Sequence, residues 1–242
     1  MNLIIDIGNT RIKTAVFKDN TLLEKKNILK IDFISLLEKI SGKYHITHTI
    51  LSSVGELHKE EADFIHNLFK PLVLNNRTKI PFINNYASPN TLGVDRIALI
   101  AAAVQLYPSE NVLVVDAGSC ITFDFVNKKK EYNGGAISPG IEMRYKAIHT
   151  FTANLPELTK SDEIPKIGNT TKNAIHLGVE NGIIQEIEGV IKQYKAKYSK
   201  LTIVLTGGDT IFLAKNIKST IFANPNFLLE GLNSILIYNK DE

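Results

Sequence analysis

The feature that most constrains the fold of this chain is a pattern that occurs twice. An apolar strand ends in Asp-x-Gly and a polar residue, and a second strand rich in β-branched residues follows. The first copy contains Asp6-Ile7-Gly8-Asn9-Thr10 and the second contains Asp116-Ala117-Gly118-Ser119. Each copy predicts a β-hairpin with a glycine in a tight turn. The copies lie about a hundred residues apart, far more than a solenoid repeat, so the pattern indicates two similar domains.

The composition of both turns suits a phosphate group. A glycine lets backbone N–H groups approach an anion closely, and this applies to Gly8 and Gly118. The side chains of Asn9, Thr10 and Ser119 add hydrogen-bond donors. We therefore predict that each hairpin holds part of a nucleotide's phosphate chain.

An aspartate stands at the mouth of each turn. Two carboxylates beside a triphosphate would repel it, so charge balance predicts a bound Mg²⁺, which Asp6 would hold through water. The alternative is that Asp6 and Asp116 only stabilise their turns. The matching contexts of the two copies favour the functional interpretation.

A third turn follows a late apolar strand. Leu201–Leu205 runs into Thr206-Gly207-Gly208-Asp209, and a helical stretch follows. A Gly-Gly turn before a helix N-terminus suits the ribose or base of a nucleotide, and we assign Gly207 to that role. The alternative, an ordinary connection between strand and helix, stays open on these residues alone.

Asp95 and Arg96 are the candidates on the side of the phosphate acceptor. The planar fork of an arginine binds a carboxylate in a bidentate manner, and a neighbouring aspartate can take a proton from an alcohol. Both side chains can face one pocket only near a helix start, and this pair follows Gly93 and precedes an apolar helix. An ion pair on the surface of a helix N-terminus is an equally good interpretation of the pair alone.

Strands alternate with helices along the chain, which predicts an α/β fold with mixed sheets flanked by helices. We place the domain boundary after residue 107, giving domains at 1–107 and 108–242. The glycines of 134–140 predict a turn. The helix predicted at 97–106 is apolar nearly all round, so it must be buried between the domains or at a twofold interface.

Composition limits the possible partners and compartments. The chain has 242 residues, a formal charge of +3 and one cysteine. The mild charge and the lack of a long basic run argue against a nucleic-acid partner. No apolar run has the length of a membrane span and no signal-peptide pattern is seen, so we expect no membrane association and a cytoplasmic location. The histidines show no spacing typical of a zinc site.

The ordered set of motifs resembles the type III pantothenate kinases, within the actin/Hsp70/sugar-kinase superfamily of ATP-binding folds. The resemblance extends from residue 6 to residue 209. It is carried by the two hairpins and the late turn above, and by Gly93-Val94-Asp95-Arg96, Gly134-Gly135-Ala136-Ile137-Ser138-Pro139-Gly140, Thr152-Ala153-Asn154-Leu155-Pro156 and Ile167-Gly168-Asn169-Thr170-Thr171. It implies two actin-like (ribonuclease H-like) domains with the nucleotide in the cleft between them. Ser119 stands where the family often has threonine, and the hydroxyl is kept.

The resemblance also implies an activity: ATP-dependent phosphorylation of pantothenate to 4'-phosphopantothenate, the first step of coenzyme A biosynthesis. In this family the residue at Asp95 is the general base and the residue at Arg96 holds the pantothenate carboxylate. Tyr86, Gly93 and Thr171 correspond to pantothenate-binding positions, and part of that site comes from the second subunit of a homodimer. A potassium or ammonium ion assists ATP binding near the position of Asp116, and we add Thr122 to the ATP-binding residues.

Two other functions share this fold. A non-catalytic accessory regulator of transcription would be free to lose Asp6, Asp95, Arg96 or Asp116, and this chain keeps all four. A phosphohydrolase acting on polyphosphate would need a cluster of basic residues beside the hairpins, and the flanking segments show none.

Overall fold

The computed structural model describes residues 1–8, 11–53 and 58–240. The strands are β1 Asn2–Ile7, β2 Ile12–Lys18, β3 Thr21–Ile28, β4 His48–Ser53, β5 Leu72–Val73, β6 Ile83–Asn84, β7 Val112–Ala117, β8 Cys120–Val126, β9 Glu131–Pro139, β10 Thr202–Thr206 and β11 Phe222–Ala223. The α-helices are α1 Phe33–Lys43, α2 Lys59–Phe69, α3 Val94–Leu106, α4 Ile141–Thr150, α5 Thr171–His176, α6 Gly182–Lys197, α7 Thr210–Asn216 and α8 Phe227–Tyr238. Short 3₁₀ helices occur at Lys30–Asp32 and Pro89–Thr91, and a π-helical turn spans Leu177–Asn181.

The chain forms two compact units. The first consists of Met1–Pro108, Lys130–Tyr132 and Asn226–Glu242, and the second of Ser109–Lys129 and Asn133–Pro225. The first break between the units thus falls one residue after the predicted boundary. The domain predicted as 108–242 nevertheless includes two stretches that belong to the first unit, and one of them carries helix α8.

The first unit is built on a five-stranded mixed sheet with the order β3-β2-β1-β4-β5. β1 pairs antiparallel with β2 and parallel with β4, so it lies at the centre and is buried along its whole length. One face packs against α1 and α2 through aliphatic and aromatic side chains that include Leu3, Phe33 and Ile65. Burying each such side chain contributes about 1.5–3 kcal/mol to folding.

Helices α3 and α8 form the other layer of the first unit. Gly231 allows the close approach of these helices, since a Cβ there would lie 1.9 Å from the carbonyl oxygen of Ala98. Helix α8 also contacts β1 and β4, and the side chain of Asn2 donates a 2.7 Å hydrogen bond to that of Asn233.

Helix α3 is not buried at a twofold interface, which was one of the two alternatives drawn from its sequence. Every residue of α3 from Arg96 to Val104 is buried within the single chain, where α8 covers the helix. The apolar surface of α3 is therefore used inside the protein, and it is not available as a twofold interface.

The second unit repeats the strand order of the first. Its strands run β9-β8-β7-β10-β11, with β7 antiparallel to β8 and β10 parallel to both β7 and β11. Its core includes Leu113, Phe123, Ile187 and Leu205 between the sheet and its helices. The repeated order confirms the predicted α/β class with two similar units, each built on a mixed sheet flanked by helices.

The glycine-rich stretch from Gly134 to Gly140 is not the predicted turn. Its residues up to Pro139 continue strand β9. Gly135 is needed there because the backbone of β8 comes very close: a Cβ at Gly135 would lie 1.7 Å from the carbonyl oxygen of Phe123.

Within the described ranges, none of the helices has the length and apolarity needed to cross a bilayer.

Candidate active site

Asp6 lies at the end of the central strand of the first unit. The strand register places it opposite Lys13 of β2 and Ser52 of β4. Its carboxylate is almost completely buried, and its Oδ2 lies 3.7 Å from Lys13 Nζ. The backbone N–H of Gly8 donates to the carbonyl of Arg11 at 3.0 Å. Asn9 and Thr10, which we predicted as phosphate ligands, lie outside the described residues.

The surroundings of Asp6 affect its proton affinity. Burial raises its pKa above the ordinary value, Lys13 and Ser52 oppose the rise, and the nearby negative charge of Asp95 adds to it. A buried carboxylate with only a partly exposed lysine as counter-charge has the right chemistry to attract a second cation. Asp6 is therefore a fitting ligand for Mg²⁺, which usually keeps several waters and takes one or two carboxylates.

Metal binding by a cluster of protein ligands has no support here. Across the described residues there is no group of three or more His, Cys, Asp or Glu side chains placed to hold an ion.

Asp95 and Arg96 lie in the first turn of α3, which begins at Val94, three residues earlier than predicted. The backbone N–H of Arg96 donates to Asp95 Oδ1 at 2.8 Å, so the half-buried carboxylate folds back over the helix start. Gly93 leaves the space for it, because a Cβ at this position would lie 2.4 Å from the same oxygen. The structure thus brings Gly93, Asp95 and Arg96 together, with the charge of Asp95 felt at Asp6.

Arg96 is positioned by aromatic residues. Its guanidinium carbon lies 5.6 Å from the ring centroid of Tyr86, and Arg96 is almost fully buried. Tyr86 stacks on Tyr132, with centroids 6.1 Å apart and an angle of 15° between the rings. Stacking on an aromatic ring holds the plane of a guanidinium in one orientation, which suits recognition of a planar carboxylate.

Tyr132 is a site residue that the sequence reasoning missed. It is fully buried, and its carbonyl accepts a 2.9 Å hydrogen bond from the backbone N–H of Asn85. β6 pairs in parallel with the start of β9, so that Asn84 lies opposite Tyr132. The irregular segment that carries Tyr86 is therefore fixed by a strand pair distant in sequence. The only available signal was an aromatic residue next to the basic run 128–130.

Asp116 occupies the corresponding position of the second unit. It lies near the end of β7 and opposite Thr122 of β8, as Asp6 lies near the end of β1 and opposite Lys13, although the second connection is one residue shorter. The hydroxyl of Thr122 is buried and has no hydrogen-bond partner among the residues that the structure describes. A buried hydroxyl with an unused donor is a suitable contact for a ligand's oxygen atoms.

Backbone hydrogen bonds, one of them from Gly140 at the end of β9, fix the turn of the second hairpin. The backbone N–H of Gly118 donates to the carbonyl of Cys120 at 2.9 Å, and that of Gly140 donates to the carbonyl of Ser119 at 3.2 Å. A Cβ at Gly140 would lie 2.3 Å from the carbonyl oxygen of Gly118, so this contact requires glycine. Ser119 itself is exposed, with its hydroxyl available to a ligand.

The late turn packs directly on the second hairpin. Gly207 has a positive φ of 97°, and a Cβ there would lie 2.3 Å from the carbonyl oxygen of Ala117 and 2.5 Å from Asp116 Oδ1. The backbone N–H of Asp209 donates to the carbonyl of Ala117 at 3.0 Å. The structure therefore joins Asp116, Gly118, Ser119, Thr122 and Gly207 into one group on the second unit.

Thr171 is the remaining predicted site residue. It is the first residue of α5, is exposed, and follows Thr170, whose side chain caps the helix by accepting a 3.1 Å hydrogen bond from the backbone N–H of Asn173. It belongs to the second unit, and its assignment to a pantothenate site stays a prediction.

Solved structures define the class of this fold. A conserved putative Baf family transcriptional activator from Campylobacter jejuni aligns with a TM-score of 0.64 at 23% identity, covering 99% of this chain and 100% of that one. A glucokinase from an Antarctic psychrotroph aligns with a TM-score of 0.55 at 13% identity, covering 98% and 99%. At these identities the likeness shows the fold alone, which is that of the actin-like sugar kinases.

Sequence relatives define the family. The family model for type III pantothenate kinase matches residues 2–193. A type III pantothenate kinase of Christiangramia forsetii is 51% identical over the full length of both chains, and one of Bacteroides fragilis strain YCH46 is 42% identical over 99% of each. The chain therefore belongs to the type III pantothenate kinase family, as the sequence motifs predicted.

Proposed function

We propose that this protein transfers the γ-phosphoryl group of ATP to the primary hydroxyl of pantothenate. The products are 4'-phosphopantothenate and ADP, and the reaction is the first step of coenzyme A biosynthesis. Family membership supports the activity, and one observation on the chain itself carries the mechanism. The start of α3 presents the carboxylate of Asp95 and a guanidinium beside the ring of Tyr86, and the charge of Asp95 acts on the buried Asp6 of β1.

Asp95 is the general base of this proposal. Its Oδ1 is engaged by the backbone N–H of Arg96, which leaves Oδ2 to take the hydroxyl proton. The pantothenate oxygen then forms a bond to the γ-phosphorus while the bond from that phosphorus to the β–γ bridging oxygen breaks. ADP leaves with the electron pair, and the proton stays on Asp95. The transfer is direct, without a phosphorylated protein intermediate.

Arg96 and Tyr86 fix the acceptor. The guanidinium binds the pantothenate carboxylate in a bidentate manner. The ring of Tyr86, which stacks on Tyr132, restricts the orientation of the guanidinium. Gly93 contributes by leaving space for the Asp95 carboxylate. These contacts select an alcohol that also carries a carboxylate.

ATP binds through the two hairpins. Gly8, Asn9 and Thr10 belong to one phosphate site, and Gly118, Ser119 and Thr122 to the other, while the turn at Gly207 takes the nucleoside. Asp6 would hold Mg²⁺ through water, and Asp116 would hold a potassium or ammonium ion. Such cations neutralise the charge of the phosphates.

The proposal also includes an assembly and a location. The protein acts as a homodimer in which Thr171 of one subunit lies beside the pantothenate of the other. It acts in the cytoplasm, where ATP is made and used, and neither a nucleic acid nor a membrane is needed for the reaction. The accessory-regulator alternative is not favoured, since family membership and the group at α3 both support catalysis.

ADP release in a coupled assay tests the activity. A panel of small hydroxy acids that includes pantothenate and pantoate, with pantothenol as the matched alcohol without a carboxylate, is compared at equal concentrations. We expect ADP release only with an acceptor present and fastest with pantothenate, matched by an equal amount of phosphorylated product in mass spectrometry. Release that ignores the acceptor, or a clear preference for another hydroxy acid, would contradict the proposal. Omitting Mg²⁺, or replacing K⁺ by Na⁺, tests the two cations.

A further inference from the structure

Glu180 is a buried acid that the proposed reaction does not use. It lies in the π-helical turn between α5 and α6, and its side chain has no exposed surface. Its Oε1 accepts hydrogen bonds from the hydroxyl of Tyr145 at 2.7 Å and from the backbone N–H of Ser161 at 2.6 Å. Its Oε2 accepts from the hydroxyl of Ser161, also at 2.6 Å. Burial of a carboxylate is costly, and these three bonds offset the cost.

His176 completes this group, and the proton positions can be worked out. Nδ1 of His176 lies 2.7 Å from the oxygen of Tyr145, which has a single proton to give. If that proton pointed to His176, lone pairs of Tyr145 and Glu180 would face each other at 2.7 Å. The favourable arrangement therefore has Nδ1–H of His176 donating to Tyr145 and Tyr145 donating to Glu180. Burial and this contact with Glu180 raise the pKa of Tyr145, which keeps the phenol in its donating form.

The group fixes a segment with no regular structure. Residues 151–170 contain neither a helix nor a strand, and Ser161 is held there by both its backbone and its side chain. The residue before it, Lys160, places Nζ 2.6 Å from Asp209 Oδ1 and 5.3 Å from the ring centroid of Phe212. Asp209 ends the turn that contains Gly207 and is bonded to Ala117 of the second hairpin.

The segment also forms a wall of a cavity on the second unit. The cavity has a volume of about 290 Å³, and its lining includes Tyr145, Lys160 and Asp209. A chain of contacts thus runs from Glu180 through Ser161 and Lys160 to Asp209. The first and last links are contacts at 2.6 Å, and Ser161 and Lys160 are joined by the backbone as sequence neighbours.

We infer that Glu180 is a positioning residue for nucleotide binding. By fixing Ser161 it holds Lys160 against Asp209, and the Lys160–Asp209 pair keeps the turn at Gly207 in the shape that receives the nucleoside. The inference rests on the proposed function, which assigns this turn to ATP. It makes Glu180 a determinant of nucleotide affinity although it does not touch the nucleotide.

A double-mutant cycle on the intact protein tests the chain of contacts. The variants are Glu180→Leu, Lys160→Met and the double change, and the probe is the non-hydrolysable ATP analogue adenylyl imidodiphosphate, measured by calorimetric titration without acceptor. Lys160→Met removes a partly exposed ion pair, so we expect roughly two- to fivefold weaker binding. Glu180→Leu should give a similar loss of affinity. The double variant should bind the analogue about as tightly as the single variant with the lower affinity, because both changes break the same chain of contacts.

The matched control is Glu188→Gln. Glu188 is a carboxylate of α6 that holds a serine in the same way, accepting from the backbone N–H of Ser219 at 2.9 Å and from its hydroxyl at 2.6 Å. This variant should lose stability without a change in nucleotide affinity. Amide hydrogen exchange should rise over residues 156–163 in Glu180→Leu and stay unchanged there in Glu188→Gln.

Several outcomes would overturn the inference: unchanged affinity in Lys160→Met, additive losses in the cycle, or an equal loss in Glu188→Gln. If Glu180→Leu does not fold, Ser161→Ala takes its place in the cycle, because it keeps the backbone bond to Glu180 and removes only the hydroxyl contacts with Glu180 and with the carbonyl of Glu163. Because no acceptor is present, failure of the unmodified chain to phosphorylate pantothenate would contradict the proposed function and leave these affinities as an independent test.

Discussion

Replacing Gly93 by alanine should lower turnover strongly and the stability of the fold only slightly, because it displaces the carboxylate of Asp95. The backbone of Gly93 has φ −59° and ψ 135°, which alanine adopts without strain. The obstacle is the Asp95 carboxylate, whose Oδ1 would lie 2.4 Å from the new Cβ. Ordinary contact begins near 3.4 Å, so the carboxylate must move by about 1 Å.

The displacement sets the size of the two expected effects. Moving a reacting group by about 1 Å can cost on the order of 10²-fold in rate, so kcat should fall by about that factor. The hydrogen bond from the Arg96 backbone would be lost, and glycine is a better N-cap than alanine. Together these changes should lower the free energy of unfolding by about 1–2 kcal/mol.

The assay measures kcat, the KM for both substrates and the free energy of unfolding for Gly93→Ala. The control is Gly189→Ala in α6, where a new Cβ meets nothing within 4 Å. Gly189→Ala should keep kcat and gain up to about 1 kcal/mol of stability. A Gly93→Ala protein with at least a third of the original kcat would refute the assignment of Asp95 as a base held at the helix start.

Four further predictions concern the same site. Asp95→Asn should lower kcat by about 10²-fold or more with the fold and most pantothenate binding intact; a kcat within threefold of the original would contradict this. Arg96→Ala should raise the KM for pantothenate roughly 10- to 100-fold, with little change for pantothenol, and equal losses for both would place Arg96 elsewhere. Asp6→Asn should abolish turnover yet raise Tm in EDTA at pH 7. Burial raises the pKa of Asp6, so its favourable contribution is complete below the ordinary value of 3.8 and is lost as the pH rises through the folded-state pKa. The advantage of the Asn variant should therefore disappear near pH 4, and a lower Tm at pH 7 would argue against it. Mixing Asp95→Asn with Thr171→Arg should partly restore activity if subunits exchange, and no recovery after exchange confirmed by mass would favour a site within one chain.

The parts of the site that depend on short-range geometry could be predicted from sequence. A tight turn fixes the register of a hairpin, so Asp6 and Asp116 were expected at the ends of central strands, and both lie there. The pair at Asp95 was expected near a helix start, and α3 begins at Val94. In each case a few neighbouring residues determine the conformation.

The parts that depend on distant segments could not be predicted. Tyr132 contacts Tyr86 because β6 pairs with β9, and no local sequence pattern predicts a strand of only two residues. The stretch from Gly134 to Gly140 was interpreted as a turn, since glycine composition does not distinguish a turn from a strand pressed against its neighbour. The π-helical turn Leu177–Asn181, which buries Glu180 between α5 and α6, has no local sequence signal either.

The position of α8 has a consequence for how the protein is made. The first unit takes its last helix from the end of the chain, with Asn233 bonded to Asn2. Because α8 follows α3 by more than a hundred residues, the apolar face of α3 stays uncovered during translation until residues 227–238 have emerged from the ribosome. A truncation that removes α8 would therefore leave the apolar face of α3 exposed and the first unit incomplete.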